Sequence, residues 1–116
     1  MKILIVDDNS EMRRLIKSLI TDLTDDIYEC ADGTEAFEIY SKHYPDWILM
    51  DVFMKHTDGL KATKIIKEYD REAKIVIVSN HTDKRTRQAA AEAGAVKFFG
   101  KDDLLSLVSY LENNRH

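Results

Sequence analysis

The chain has 116 residues, a length typical of one domain, and 44% hydrophobic and 33% charged residues, which excludes a disordered or fibrous protein. The net charge of −4 argues against a dedicated nucleic-acid-binding domain, because phosphate contacts require a strongly basic face. The sequence has no apolar run of membrane-spanning length, no secretory signal and one cysteine, Cys30, so we expect a cytoplasmic protein that does not bind membranes.

Segments of strand and helix character alternate along the chain. Short apolar runs without polar alternation are typical of strands covered on both faces. They predict strands at residues 2–6, 26–32, 46–51, 74–80 and 95–101. Apolar residues at helical spacing predict the intervening helices at residues 9–23, 34–43, 59–69, 82–94 and 102–113.

Capping residues define the expected helix ends. Asn9 or Ser10 is expected to cap the first helix, and Thr34 the second. Gly94 is expected to end the fourth helix, and Asp102 is a plausible cap for the last. The residues of the third helix expected to face the core are Ala62, Ile65, Ile66 and Tyr69.

Five strand–helix units in strict alternation predict an α/β domain with a parallel sheet and helices on both faces. Right-handed crossovers leave few arrangements, and the common flavodoxin-like strand order is 2-1-3-4-5. In such sheets the functional site lies outside the carboxyl ends of the strands, beside the point where the order reverses.

Polar side chains stand at the carboxyl ends of four predicted strands. Asp7 and Asp8 follow the first strand, Asp51 ends the third, Ser79 lies near the end of the fourth, and Lys101 ends the fifth. Three carboxylates so close together require a cation, and oxygen ligands on a partly open site suit Mg²⁺. Each residue alone has an ordinary explanation as a helix cap, turn residue or surface charge; their conjunction on different strands favours a site.

The motifs that carry these residues are "LIVDDN", "LMDVFM" with a following "DG", "VIVSN" and "GAVKFFGK". Together they resemble the receiver domain of two-component response regulators, and the resemblance covers residues 1–116. It implies the 2-1-3-4-5 sheet. It also implies a signalling switch rather than an enzyme, because such a domain catalyses only its own phosphoryl transfer and dephosphorylation. A histidine kinase or phosphotransfer protein would be the phosphoryl donor.

The resemblance also implies the metal ligands. Asp8 and Asp51 would bind Mg²⁺ directly, Asp7 would act mainly through water, and the backbone carbonyl of Phe53 would be a further ligand. A carboxylate nucleophile, a divalent cation and a lysine suit the chemistry, because phosphoryl transfer depends mainly on positioning and charge neutralisation.

The roles in phosphorylation follow from the same resemblance. Asp51 would accept the phosphoryl group, and Ser79 would hydrogen-bond one of its oxygens. Lys101 would pair with Asp51 before phosphorylation and with the phosphoryl group afterwards. Phe98 would be the aromatic residue whose rotamer changes with the switch.

Partners are expected on the surface formed by the fourth helix, the fifth strand and the fifth helix. An output protein or a fused domain would bind there, or a second copy in a phosphorylation-dependent homodimer. The fourth helix carries basic residues that favour an acidic partner: Lys84, Arg85 and Arg87. Each of them alone is equally well explained as a solvated surface charge.

Four positions depart from the family pattern, and one of them, Phe98, lacks the hydroxyl of a tyrosine. Lys55 replaces a common proline four residues after the acceptor, Asn80 replaces an alanine after the serine, and Asp102 replaces a proline after the lysine.

Two further residues, Phe53 and His81, are expected to flank the path of a hydrolytic water. His81 either positions that water or stacks on Phe53 to close the mouth of the site.

Three other functions use related architectures. A flavin- or nucleotide-binding module needs a glycine-rich phosphate cradle after the first strand, where this chain has "DDNSEM". A phosphatase with an aspartate nucleophile needs a second acid where this chain has Phe53. The remaining alternative is a receiver-like interaction module that works without phosphorylation.

Overall fold

The computed structural model describes residues 1–115; the last residue of the predicted domain, His116, lies outside the described residues. The strands are β1 (Lys2–Val6), β2 (Asp26–Cys30), β3 (Trp47–Met50), β4 (Ile75–Ser79) and β5 (Lys97–Gly100). The helices are α1 (Ser10–Ile20), α2 (Gly33–His43), α3 (Gly59–Tyr69), α4 (Lys84–Ala93) and α5 (Leu104–Asn113). The strict alternation predicted from the sequence is confirmed.

The sheet has the order β2-β1-β3-β4-β5, and all neighbouring strands run parallel, as predicted. In the central pair, Ile5 of β1 lies opposite Leu49 of β3. The chain order reverses beside β1, so the loops after β1 and β3 flank one crevice at the carboxyl edge of the sheet. This topology determines where the site forms.

Each face of the sheet is covered by helices. Side chains alternate between the faces along each strand, which divides the buried apolar residues into two clusters. The cluster beneath α1 and α5 includes Ile3, Ile5, Ile16, Ile20, Leu107 and Leu111. The opposite cluster, beneath α2, α3 and α4, includes Leu4, Met50, Tyr40, Ile66, Ile77 and Ala90. None of the helices within residues 1–115 has the length and hydropathy needed to cross a membrane.

Two predicted caps are wrong and two are confirmed. The second helix begins one residue earlier than expected, because the Oδ1 atom of Asp32 accepts a hydrogen bond of 2.9 Å from Glu35 N, so Thr34 is not the cap. The last helix begins after Asp103 rather than after Asp102, and Asp103 Oδ1 accepts from the Ser106 hydroxyl. Of the two candidates for the first cap, Asn9 is the cap, and Gly94 ends the fourth helix as predicted, with φ 109°.

The packing of α3 differs from the predicted apolar face. Ile65 and Tyr69 are 53% and 48% exposed, whereas Thr63 is fully buried. The Thr63 hydroxyl donates to Gly59 O at 2.8 Å, so its polar atom is satisfied inside the helix. Tyr69 instead packs on Phe37 at a centroid distance of 5.1 Å, on the surface between α2 and α3.

Candidate functional site

The first two acids of the site follow β1 directly. Asp7 N donates to Cys30 O of the neighbouring strand, which extends the sheet by one residue before the chain turns. The side chain of Asp7 is buried, and its Oδ1 atom accepts from Asn9 N at 2.9 Å. Asn9 in turn caps α1 through Glu11 N and Met12 N. These bonds fix the turn, with Asp7 facing inward.

The third acid, Asp51, follows β3 directly and is 6% exposed. Its backbone N donates to Val6 O at 2.9 Å, and its Oδ1 atom accepts from Val52 N at 2.9 Å. Gly59 passes so close that an added Cβ atom would lie 1.8 Å from Asp51 O, and only glycine fits there. We predicted no role for Gly59 from the sequence. The feature that could have indicated its close approach to the acceptor strand is the "DG" pair, of which Gly59 is the glycine.

The carboxylates of Asp7, Asp8 and Asp51 meet in the crevice, as their positions at the strand ends predicted. One oxygen from each lies within 4.8 Å of the others, an arrangement that can hold a metal ion. Lys101 balances part of their charge: its Nζ atom lies 2.8 Å from Asp7 Oδ2 and 3.4 Å from Asp51 Oδ1. The shorter ion pair is therefore with Asp7 and not with Asp51.

The pKa of Asp51 is raised from an ordinary 3.8 to about 6, chiefly by burial and secondly by the negative charge of Asp7, while Lys101 opposes the rise. The carboxyl group is thus ionised above about pH 6, in a crevice that disfavours its charge. A divalent cation would relieve this repulsion. The oxygen ligands and their partial burial fit Mg²⁺, which is bound through few carboxylates and retains water.

Ser79 closes β4 at the same edge of the sheet and is fully buried. Its hydroxyl oxygen accepts from His81 N at 3.0 Å, and its carbonyl accepts from Lys101 N at 2.9 Å. The second bond links the ends of β4 and β5 and positions the lysine backbone. The sequence predicted Ser79 and Lys101 at this edge, and the topology places both there.

Two rings lie beside each other on the loops after β3 and β4. The centroids of Phe53 and His81 are 4.4 Å apart with an interplanar angle of 55°. Phe53 is 58% exposed and His81 is also exposed, so the pair sits at the outer surface. This contact agrees with one of the two alternatives for His81, stacking on Phe53, and does not test the other, the positioning of a water.

The half-buried ring of Phe98 on β5 carries a cationic partner that we did not predict. The guanidinium carbon of Arg87, on α4, lies 4.7 Å from the centre of this ring. Arg87 Nε also donates to Thr82 O at 2.8 Å, so the guanidinium is held from two sides. Sequence spacing gave no signal for this contact between a helix and a strand.

The sequence model of the response regulator receiver domain family matches residues 3–112 of this chain. The chain belongs to this family. Members of the family are signalling switches, and the five-stranded fold described above is consistent with that assignment.

Among curated relatives, the chemotaxis protein CheY of Halobacterium salinarum is 32% identical over 112 residues, covering 93% of each chain. CheY of Bacillus subtilis is 38% identical over 101 residues, covering 86% of this chain and 84% of the relative. A solved complex of CheX, CheY, BeF3 and Mg²⁺ from Borrelia burgdorferi contains a chain with a TM-score of 0.90 and 25% identity, covering 100% of this chain and 90% of that one.

Proposed function

We propose that this receiver domain is a switch in which Asp51 accepts a phosphoryl group from a histidine kinase or a phosphotransfer protein in a Mg²⁺-dependent reaction. One observation carries the proposal: three carboxylates and the Lys101 ammonium converge at the carboxyl edge of the sheet. This set contains a nucleophile, a cation site and a counter-charge, which phosphoryl transfer requires.

The nucleophile in this proposal is an oxygen of the ionised Asp51 carboxylate. Its Oδ1 atom is engaged by Val52 N and lies near Lys101, whereas Oδ2 makes no hydrogen bond with residues 1–115. A bond forms between a carboxylate oxygen and phosphorus as the bond from phosphorus to the donor breaks. The pKa near 6 leaves Asp51 ionised and able to attack at pH 7.5.

The other charged groups hold the site. Asp8, Asp51 and the backbone carbonyl of Phe53 would bind Mg²⁺ directly, and Asp7 would act through water. The 2.8 Å ion pair between Asp7 and Lys101 supports such an outer role, because one Asp7 oxygen is already occupied. When bound, Mg²⁺ would neutralise charge on the phosphoryl oxygens. Lys101 would exchange its contacts with the carboxylates for a phosphoryl oxygen.

The output step uses Ser79 and Phe98. Ser79 would turn its hydroxyl toward a phosphoryl oxygen, and Phe98 would move into the space that this releases. Phe98 would then leave Arg87 and change the surface formed by α4, β5 and α5. Small buried residues on α4, Ala90 and Ala93, allow this helix to shift with little loss of apolar contact.

The α4-β5-α5 surface is proposed to bind an output protein, a fused domain or a second copy of the chain. Three exposed basic residues on α4 favour acidic groups on that partner; they are Lys84, Arg85 and Arg87. An interaction module that works without phosphorylation is not favoured, since it would have no need for the carboxylate cluster.

Intact mass spectrometry after incubation with acetyl phosphate tests the proposal. The wild type with Mg²⁺ should gain the mass of one phosphoryl group, and the bond should be stable in acid and labile in base. EDTA or the substitution Asp51→Asn should prevent the gain. An Asp51→Asn protein modified to the same extent as the wild type would refute the assignment of the acceptor.

A further inference from the structure

Asp8 is the most exposed of the three clustered acids, and a backbone group from a distant loop holds it. Its Oδ2 atom accepts a hydrogen bond of 2.8 Å from Lys55 N, 47 positions along the chain. Within residues 1–115, this is the one hydrogen bond that the Asp8 carboxylate makes. The other two acids each have a backbone donor nearby in sequence, Asn9 N for Asp7 and Val52 N for Asp51.

The loop that carries Lys55 is anchored at its base. Gly59 N donates to Val52 O at 2.8 Å, and Phe53 pairs with Asp58 in an antiparallel bridge. Lys55 lies between these anchors, so its N–H group is presented by a closed turn rather than by a free loop. The donor is therefore preorganised, as a ligand-orienting group must be.

The direction of the effect follows from the charges around Asp8. Its carboxylate faces the negative charges of Asp7 and Asp51, whose near approach favours rotation of Asp8 toward water. The Lys55 N–H group opposes that rotation by bonding one oxygen. The second oxygen stays available to a cation, and outer hydrogen bonds of this kind commonly determine metal affinity.

We propose that the backbone N–H of Lys55 is a positioning group for the divalent cation: it holds Asp8 in the orientation that binds Mg²⁺. The inference rests on the proposed function, since it concerns the same metal site. It assigns a role to a position whose side chain is exposed and whose hydrogen bond to the cluster comes from the main chain.

Two substitutions at this position separate the main chain from the side chain. Lys55→Pro removes the N–H group and with it the bond to Asp8. Lys55→Ala keeps the N–H group and removes only the ammonium. Calorimetric titration with Mg²⁺ alone, at constant ionic strength, should give a dissociation constant about tenfold weaker for Lys55→Pro. Lys55→Ala should bind no more weakly than the wild type, because losing a nearby cation favours metal binding.

Equal or tighter Mg²⁺ binding by folded Lys55→Pro would overturn the inference, as would a loss of the same size in Lys55→Ala. If circular dichroism shows that Lys55→Pro does not fold, amide hydrogen exchange in the wild type decides. The Lys55 amide should stay protected at saturating Mg²⁺; loss of protection would mean that the donor competes with the cation. Absence of Mg²⁺ binding by the wild type would refute the metal site itself, whereas wild-type binding with an unaltered proline variant would refute only the role of Lys55.

Discussion

Removing the charge of Asp51 should stabilise the metal-free protein. The carboxylate is 6% exposed and lies beside Asp7, which together raise its pKa from 3.8 to about 6. The substitution Asp51→Asn retains an oxygen that can accept from Val52 N and leaves Lys101 paired with Asp7 at 2.8 Å. The variant therefore removes the buried charge without leaving the lysine unpaired.

The sign follows from linkage between protonation and folding. The folded protein binds the Asp51 proton more tightly than the unfolded chain does. The contribution of this proton to the free energy of unfolding is therefore complete below about pH 3.8 and is lost as the pH rises through about 6. The full pKa difference corresponds to about 3 kcal/mol at most. Screening by water in the open crevice reduces the expected gain for Asp51→Asn to about 1 to 2 kcal/mol at pH 7.5.

Urea unfolding in EDTA measures this gain, and the single tryptophan, the buried Trp47, supplies the fluorescence signal. At pH 5 the wild-type carboxyl is largely protonated when folded, so the gain should fall to roughly half. Saturating Mg²⁺ should stabilise the wild type more than the variant. An Asp51→Asn protein no more stable than the wild type at pH 7.5, or a gain that is independent of pH, would refute the electrostatic reasoning.

Three further predictions concern the metal, the switch and the lifetime of the phosphoryl group. Asp8→Asn should abolish Mg²⁺-dependent phosphorylation by acetyl phosphate, measured by intact mass, and a wild-type yield would show that Asp8 is not a metal ligand. Arg87→Gln should free the Phe98 ring, so methyl and aromatic NMR signals around it should move toward their positions with beryllofluoride and Mg²⁺ even without these ligands; unchanged signals would exclude a restraining role for Arg87. Phe53→Asn should speed dephosphorylation by admitting a polar group that orients water. His81→Ala should slow dephosphorylation if the imidazole holds that water, and should speed it if the ring only shields the site. Phosphate release unchanged in both variants would show that neither ring controls the lifetime.

The sheet and its edge were predictable because their signals are local. Buried runs such as "ILIV" and "WILM" have few alternatives to a covered strand, and alternation with helices leaves few topologies. Once the strand order is known, Asp7, Asp51 and Lys101 must meet at one edge. The prediction of this cluster required no knowledge of side-chain rotamers.

The remaining features depend on contacts that residue type and spacing do not determine. Thr34 and Asp32 are both capable caps, and the choice was decided by which side chain reaches a free N–H group. Tyr69 fits the apolar spacing of α3, but its ring finds partners on the surface, including Tyr44, whose hydroxyl lies 2.9 Å from its own. The bond from Lys55 N to Asp8 involves a main-chain donor, which residue type does not reveal.

The position of the phosphoryl group tests the central claim most directly. After incubation with acetyl phosphate and Mg²⁺, borohydride reduction converts an aspartyl phosphate to homoserine, and peptide mass mapping locates the changed residue. We expect homoserine at position 51 alone, with none in samples treated with EDTA. Homoserine at position 7 or 8, or an unmodified Asp51 in protein that carries phosphate, would contradict the proposed acceptor.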